Sequence, residues 1–253
     1  MASASALDVS STAGRELLSA KEFPLQLRLD GLDVLCGWRP AARILVRPGR
    51  EAERCVGLLL SMELALSVGR GVQWQPSRKF CGYVDWFSAP IEGEELEKFA
   101  VLYLGRDKHA ASAARAADET GSDREFGLAL GYPSCCVESV LRRGQVPEVA
   151  ECFSLYAADG HYQPLAWPAS LVLDAALTPH FPCDVACARS LEIASRRWAF
   201  IRNHADPGLV ERIRWSRTIP YWLGHDGSVF AGETPPTPDG MLALACPAAP
   251  LPL

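Results

Sequence analysis

KFAVLYLGRDKHAASAARAADE, residues 98 to 119, decides the fold class in one stretch. The apolar run from Phe99 to Leu104 closes at Gly105 and reads as a buried strand. Asp107 then stands where a helix N-cap belongs, since its short carboxylate can take up a free amide of the next turn. A strand that leads directly into a helix predicts a small sheet covered by helices.

Working outward, the first half reads as mixed α/β. LQLRLDGLDVL (25–35), which opens with alternating apolar and polar residues, and the apolar-centred ARILVRP (42–48) read as strands, with Pro48-Gly49 as a turn. EAERCVGLLLSMELALSVG (51–69) reads as one helix stopped by Gly69, and the aromatic stretches GVQWQP (71–76) and YVDWF (83–87) as short strands. From Gly121 the pattern turns helical: DREFGLALG, PSCCVESVLRRG, PEVAECFSLYAADG, PASLVLDAAL and PCDVACARSLEIASRRWAFIRNH. Pro133 suits a first helical position and Gly144 a C-terminal stop. TIPYWLG and GSVFAG return to extended structure around a His225-Asp226-Gly227 turn, and the proline-rich end from Thr234 reads as irregular. The expectation is an α+β protein: a disordered start (1–14), an α/β unit (15–120), a helical unit with the chemistry (121–233) and a tail (234–253).

The chain has 253 residues, 49% hydrophobic and 22% charged, enough for a substantial core. A net charge of −5 argues against non-specific nucleic-acid binding as the dominant role. No cationic, apolar leader opens the sequence, and the longest apolar run is broken by Glu63, so a cytoplasmic protein with reduced thiols and no membrane span is expected. In that compartment clustered cysteines bind metal or do redox work more often than they form bridges.

Two cysteine clusters stand out among nine cysteines. GYPSCCVES places Cys135 and Cys136 in the first turn of a helix, and HFPCDVACARS places Cys183 and Cys187 four residues apart after Pro182. On one helix, Cys187 would continue along a face through Leu191, Ala194, Trp198 and Ile201. A helix start lowers thiol pKa and favours anions, and thiolate is the form that ligates metal. If the two starts face each other, all four sulfurs converge. Four thiolates suit zinc or an iron–sulfur cluster. Adjacent side chains on a helix diverge by roughly 100°, which favours a [4Fe–4S] cluster, whose separate irons let neighbours take different corners. Zinc and a metal-free dithiol stand as alternatives. Cys36, Cys55, Cys81, Cys152 and Cys246 read as small hydrophobes.

With these motifs the chain resembles a family of bacterial and archaeal proteins, a domain of unknown function, whose signature is GYPxCC followed by HxPCxxxC. The resemblance covers residues 125 to 195 and rests on Gly131, Tyr132, Pro133, Cys135, Cys136, His180, Pro182, Cys183 and Cys187. It implies a shared cysteine site and no particular activity. Vicinal cysteines also ligate iron–sulfur clusters elsewhere, as in one type of epoxyqueuosine reductase, a likeness of ligands and not of fold.

Around the cysteines, His180 is a candidate ligand, proton donor or partner of a thiolate, Glu138 a candidate acid or base, and Tyr132 a phenol within reach. Asp184 reads as a capping carboxylate. Seven arginines between Arg189 and Arg217 leave about +4 locally, and Arg142 and Arg143 add to the helix of the vicinal pair. Arg189 and Arg142 are therefore the candidate binders of an anionic substrate, with RNA as another partner for such a face. No phosphate-binding glycine loop, dinucleotide fingerprint, HExxH or CxxxCxxC is present. The sequence thus predicts an iron–sulfur enzyme, of lyase, redox or sulfur chemistry, acting on a small anion and served by an electron donor. A zinc-stabilised interaction or RNA-binding module is the alternative.

Overall fold

In the computed structural model of the chain, the residues described are 4–70, 72–74, 97–143, 176–184, 186–216, 221–224, 229–231 and 241–244. The expectations for residues 83–87, 147–160, most of 168–177 and the turn at 225–227 lie outside them.

The sheet is built on β4 (Glu97–Gly105), the strand read from the opening stretch. It pairs antiparallel with β1 (Ala41–Val46) on one side and β2 (Ala65–Val68) on the other, with Tyr103 opposite both Arg43 and Ser67. β3 (Val72–Trp74) pairs with the start of β4. Because successive side chains alternate faces, β4 serves two cores. Val101 and Tyr103 pack with Ala41, Ala114 and Leu130, under α4 (Lys108–Glu119) and α5 (Asp123–Ala129). Leu102 and Leu104 join Leu29, Ile44, Leu59, Trp198 and Ile201 in the larger core, under α2 (Leu25–Leu35), α3 (Arg50–Ser61) and α7 (Ala188–His204). Asp107 caps α4 as expected, accepting from the Ala110 N–H at 2.8 Å. The architecture is α+β, with a small antiparallel sheet layer followed by helices α5, α6 (Ser134–Arg143), α7 and α8 (Pro207–Ser216). A second sheet runs β6 (Val229–Ala231), β5 (Tyr221–Gly224), β7 (Met241–Leu244). Among the described residues no helix is long and apolar enough to cross a membrane.

Four expectations are corrected. LQLRLDGLDVL is the helix α2 and not a strand, because its alternating polar residues are buried too: Gln26, Arg28, Asp30 and Asp33 all lie inside. Asp30 and Asp33 meet Arg39 and Arg197 in a buried ion-pair group, with Nη1 of Arg39 2.9 Å from Asp30 and Nη2 of Arg197 2.6 Å from Asp33. The helix read through to Gly69 ends at Ser61. Glu63 takes a left-handed φ of 60°, and Leu64 N–H bonds back to Leu59 O at 3.2 Å, so a Schellman turn without glycine frees residues 65–68 to become β2. The small-residue start read as disordered is mostly helix α1 (Ala4–Ser19), and β7 lies in the tail read as irregular.

The larger core crosses residue 120. Leu17, Leu29 and Ile44 from the first part pack in one cluster with Ala194, Trp198 and Ile201 of α7.

Candidate metal centre

The turn between α5 and α6 aims the vicinal cysteines. Gly131 ends α5 with a φ of 75°; its N–H bonds to Leu128 O at 2.9 Å and the Tyr132 N–H to Gly127 O at 3.0 Å. A Cβ at Gly131 would lie 2.6 Å from Pro40 Cδ, so the position requires glycine for both conformation and space. Pro133 follows, and its carbonyl accepts from Cys136 and Val137 at 2.9 and 3.0 Å to start α6. Cys135 and Cys136 thus occupy the first turn, as the sequence predicts. Cys136 is buried and Cys135 exposed.

The second pair is placed differently from expectation. α7 starts at Ala188, so Cys183 and Cys187 do not share a helical face. Asp184 is the physical reason. Its carboxylate accepts from the Ala186 N–H at 2.7 Å and its carbonyl from Cys187 N–H at 3.1 Å, a local turn that competes with helix. Cys187 itself caps the helix, with its carbonyl accepting from Leu191 N–H at 2.9 Å. The face running on from it holds, with Ala194, Trp198 and Ile201 buried.

The four sulfurs of Cys135, Cys136, Cys183 and Cys187 nevertheless lie within 4.8 Å of one another and can hold a metal. Sγ of Cys187 is 3.8 Å from that of Cys135 and 3.7 Å from that of Cys136. The adjacent pair is 4.0 Å apart, so the divergence of neighbouring Cα–Cβ bonds does not keep their sulfurs from one point. Two polar groups back the buried sulfur: Cys183 N–H donates to Cys136 Sγ from 3.3 Å, and Ser190 Oγ lies 3.3 Å away.

Burial sets the proton affinities, and hydrogen bonds then divide them. Burial pushes the Cys136 thiol up to about 11, against the pull of the Ser190 hydroxyl and the Cys183 N–H. Burial also drives Cys183 far up, and the neighbouring Cys136 adds to it. At Cys187 burial acts in the same direction but is outweighed by the Ser190 hydroxyl and backbone and by the two neighbouring thiols, which bring it down to about 7. Cys187, the thiol drawn downward, stands at the start of α7, where the helix dipole also favours negative charge.

The other predicted residues divide. His180 is brought to the centre, with Nε2 2.9 Å from Ser190 Oγ and so one hydroxyl removed from Cys136. Burial, with Arg39 and Arg197 nearby, lowers its pKa to about 3, which keeps the ring neutral. Tyr132 stacks on it at 5.2 Å between ring centroids and carries the Arg39 guanidinium 5.0 Å over its own ring. Glu138 faces solvent and pairs with Arg124, whose Nε is 2.7 Å away, in place of the cysteines. Arg189 and Arg142 are exposed. Of the arginine run, Arg197 is wholly buried, while Arg196 and Arg214 pair with Glu192 and Glu211 of their own helices. Ser190 is the residue the sequence reading misses. Its signal was present, three positions after Cys187 on the face that turns inward.

Compared with family models, curated proteins and solved structures, the chain matches none.

Proposed function

We propose that Cys135, Cys136, Cys183 and Cys187 hold a single tetrahedral zinc ion, and that the ion is structural, fastening α6 to the chain that enters α7 in a zinc-stabilised module. The observation that carries this reading is the sulfur spacing. Four sulfurs about 2.3 Å from one zinc form a tetrahedron with edges of about 3.8 Å. The separations among Cys135, Cys136 and Cys187, 3.7, 3.8 and 4.0 Å, lie close to that edge, and the sulfur of Cys183 is within 4.8 Å of the others. A cubane cluster puts each thiolate on its own iron, which lengthens every edge by the iron–iron separation. Two irons cannot approach within the roughly 1 Å that separates the 3.8 Å edge from the 4.8 Å limit of this group. The spacing therefore favours the single ion over the [4Fe–4S] cluster that adjacent cysteines suggested.

Four protein thiolates close the coordination sphere. A closed sphere supports a folding role, because zinc that performs catalysis keeps a position for water or substrate. The zinc would supply binding energy between two segments and no redox chemistry. The pairing and burial of three arginines reduce the basic face on which the RNA reading leaned, and the exposed Arg142 and Arg189 remain as polar contacts for a partner.

Metal analysis of the full chain, purified anaerobically, tests the reading. One zinc per chain, no acid-labile sulfide and no visible absorbance are expected. Several irons with equal sulfide and a brown colour would overturn it in favour of the cluster, and metal-free protein would overturn both.

A further inference from the structure

We infer that His180 and Ser190 are positioning residues for this centre, His180 donating its Nε2–H to Ser190 and Ser190 donating its hydroxyl to the Cys136 sulfur. The inference rests on the metal reading above and adds to it a direction of hydrogen bonding that no ligand distance contains.

Ser190 is wholly buried and stands between the two groups, 3.3 Å from Cys136 Sγ and 2.9 Å from His180 Nε2. A metal-bound cysteine is a thiolate and can only accept, so the one hydroxyl proton of Ser190 goes to a thiolate, and the Cys136 sulfur, 3.3 Å away, is the acceptor assigned here. Ser190 Oγ then offers His180 nothing but lone pairs. The short contact to Nε2 is a hydrogen bond only if that nitrogen carries the proton, which leaves Nδ1 bare. The surroundings agree. His180 Nδ1 is buried without a hydrogen-bond partner among the described residues, and the charged groups acting on it are the Arg39 and Arg197 guanidinium ions. A proton on Nδ1 would be a buried donor with no acceptor, on a ring beside two positive charges. A bare Nδ1 is an unpaired lone pair, the state that nearby positive charge favours.

The relay gives the four sulfurs different tasks. Cys136 faces two donors, the Cys183 N–H and the Ser190 hydroxyl, which draw off thiolate charge and hold its lone pairs in place. Cys135, exposed on the outer side, is the sulfur that solvent reaches first. Tyr132, stacked on His180, fixes the plane of the imidazole and explains why a tyrosine three residues after the end of α5 belongs to the same site.

The test uses the full chain loaded with zinc, and with cobalt(II) as its spectroscopic substitute. Zinc affinity is measured by chelator competition for the wild type and for Ser190→Ala, His180→Leu and His180→Gln. The first two are expected to weaken zinc binding 10- to 100-fold and to shift the thiolate-to-cobalt charge-transfer band. His180→Gln keeps a donor and should recover most of the affinity. Nitrogen-15 NMR of the histidine-labelled, zinc-loaded wild type, which needs no variant to fold, should find the proton of His180 on Nε2. A proton on Nδ1, or wild-type zinc affinity in both Ser190→Ala and His180→Leu, would overturn the relay and leave the zinc site standing. A wild type that takes up no zinc sinks the zinc site and the relay with it.

Discussion

A thiol buried among other thiols is reluctant to ionise, and binding of a cation must overcome that reluctance. Near neutral pH Cys136, at about 11, and Cys183, further up, are both protonated, while Cys187, at about 7, is part thiolate. Each zinc that binds therefore expels at least two protons above pH 7, and a third comes from Cys187 below it. The sign follows directly. Protons compete with the metal, so affinity falls as pH falls, by at least about a hundredfold per unit above pH 7 and more steeply beneath it. Chelator competition between pH 5.5 and 8 measures the slope; a flat profile would mean that the thiols are not the ligands. The same reasoning about buried charge applies to Arg197. Its guanidinium lies against Asp30 at 2.8 Å and Asp33 at 2.6 Å with no exposed surface. Arg197→Met leaves two buried carboxylates to share Arg39, and a cost of about 3–5 kcal/mol is expected in urea unfolding of the zinc-loaded protein. A loss below about 1 kcal/mol would show that the group relaxes or hydrates.

At the scale of elements, the α5–α6 turn shows how a short motif becomes a site. Gly131 supplies the left-handed residue that ends one helix, Tyr132 packs on His180, and the Pro133 carbonyl starts the next helix. Gly131→Ala must carry a Cβ at positive φ and push it to 2.6 Å from Pro40, so the turn that aims α6 has to move away from Pro40. The expected cost is about 1–3 kcal/mol in thermal unfolding, together with weaker zinc binding, because α6 carries two of the four ligands. Unchanged zinc affinity with reduced stability would separate the turn from the site. Elements were legible in the sequence where a single local cause governs them. Asp107 announced α4, the run from Phe99 to Leu104 announced β4, and Pro133 announced α6. They were not legible where the cause is distant. The alternation in LQLRLDGLDVL imitates a strand with a wet face, yet Asp30 and Asp33 turn inward to Arg39 and to Arg197, which lies more than 160 residues later in the sequence. Gln26, which donates to Asp30 across one helical turn, carried the correct period unnoticed. Likewise Glu63 ends α3 in a conformation normally left to glycine, and composition gave no warning of it.

Across the whole molecule, convergence of the cysteines depends on chain segments about fifty residues apart, and the sequence proposed it only as a condition on two helix starts. One start was right. The other was replaced by the Asp184 turn, which delivers Cys183 and Cys187 to the same point by a different route. The structure also divides the support of α7. Its first residues depend on the sulfur group through Cys187 and Ser190, whereas its middle is held by Arg197, Trp198 and Ile201 in the core shared with α2 and β1. A metal cross-link across about fifty residues contributes on the order of 4 kcal/mol if it acts, as a disulfide does, on the entropy of the open chain. Removing the ion should therefore release one region without dissolving the rest. On addition of a chelator, native-state hydrogen exchange is expected to accelerate in α6 and in residues 186–191 while β1, β4 and the middle of α7 keep most of their protection. Uniform acceleration would mean that the ion underwrites the entire core, and unchanged exchange in α6 would mean that its packing against Gly127 and Pro133 suffices without metal. The predicted outcome follows from where the sulfurs sit: at the edge of a core whose centre is closed by Asp30, Asp33, Arg39 and Arg197.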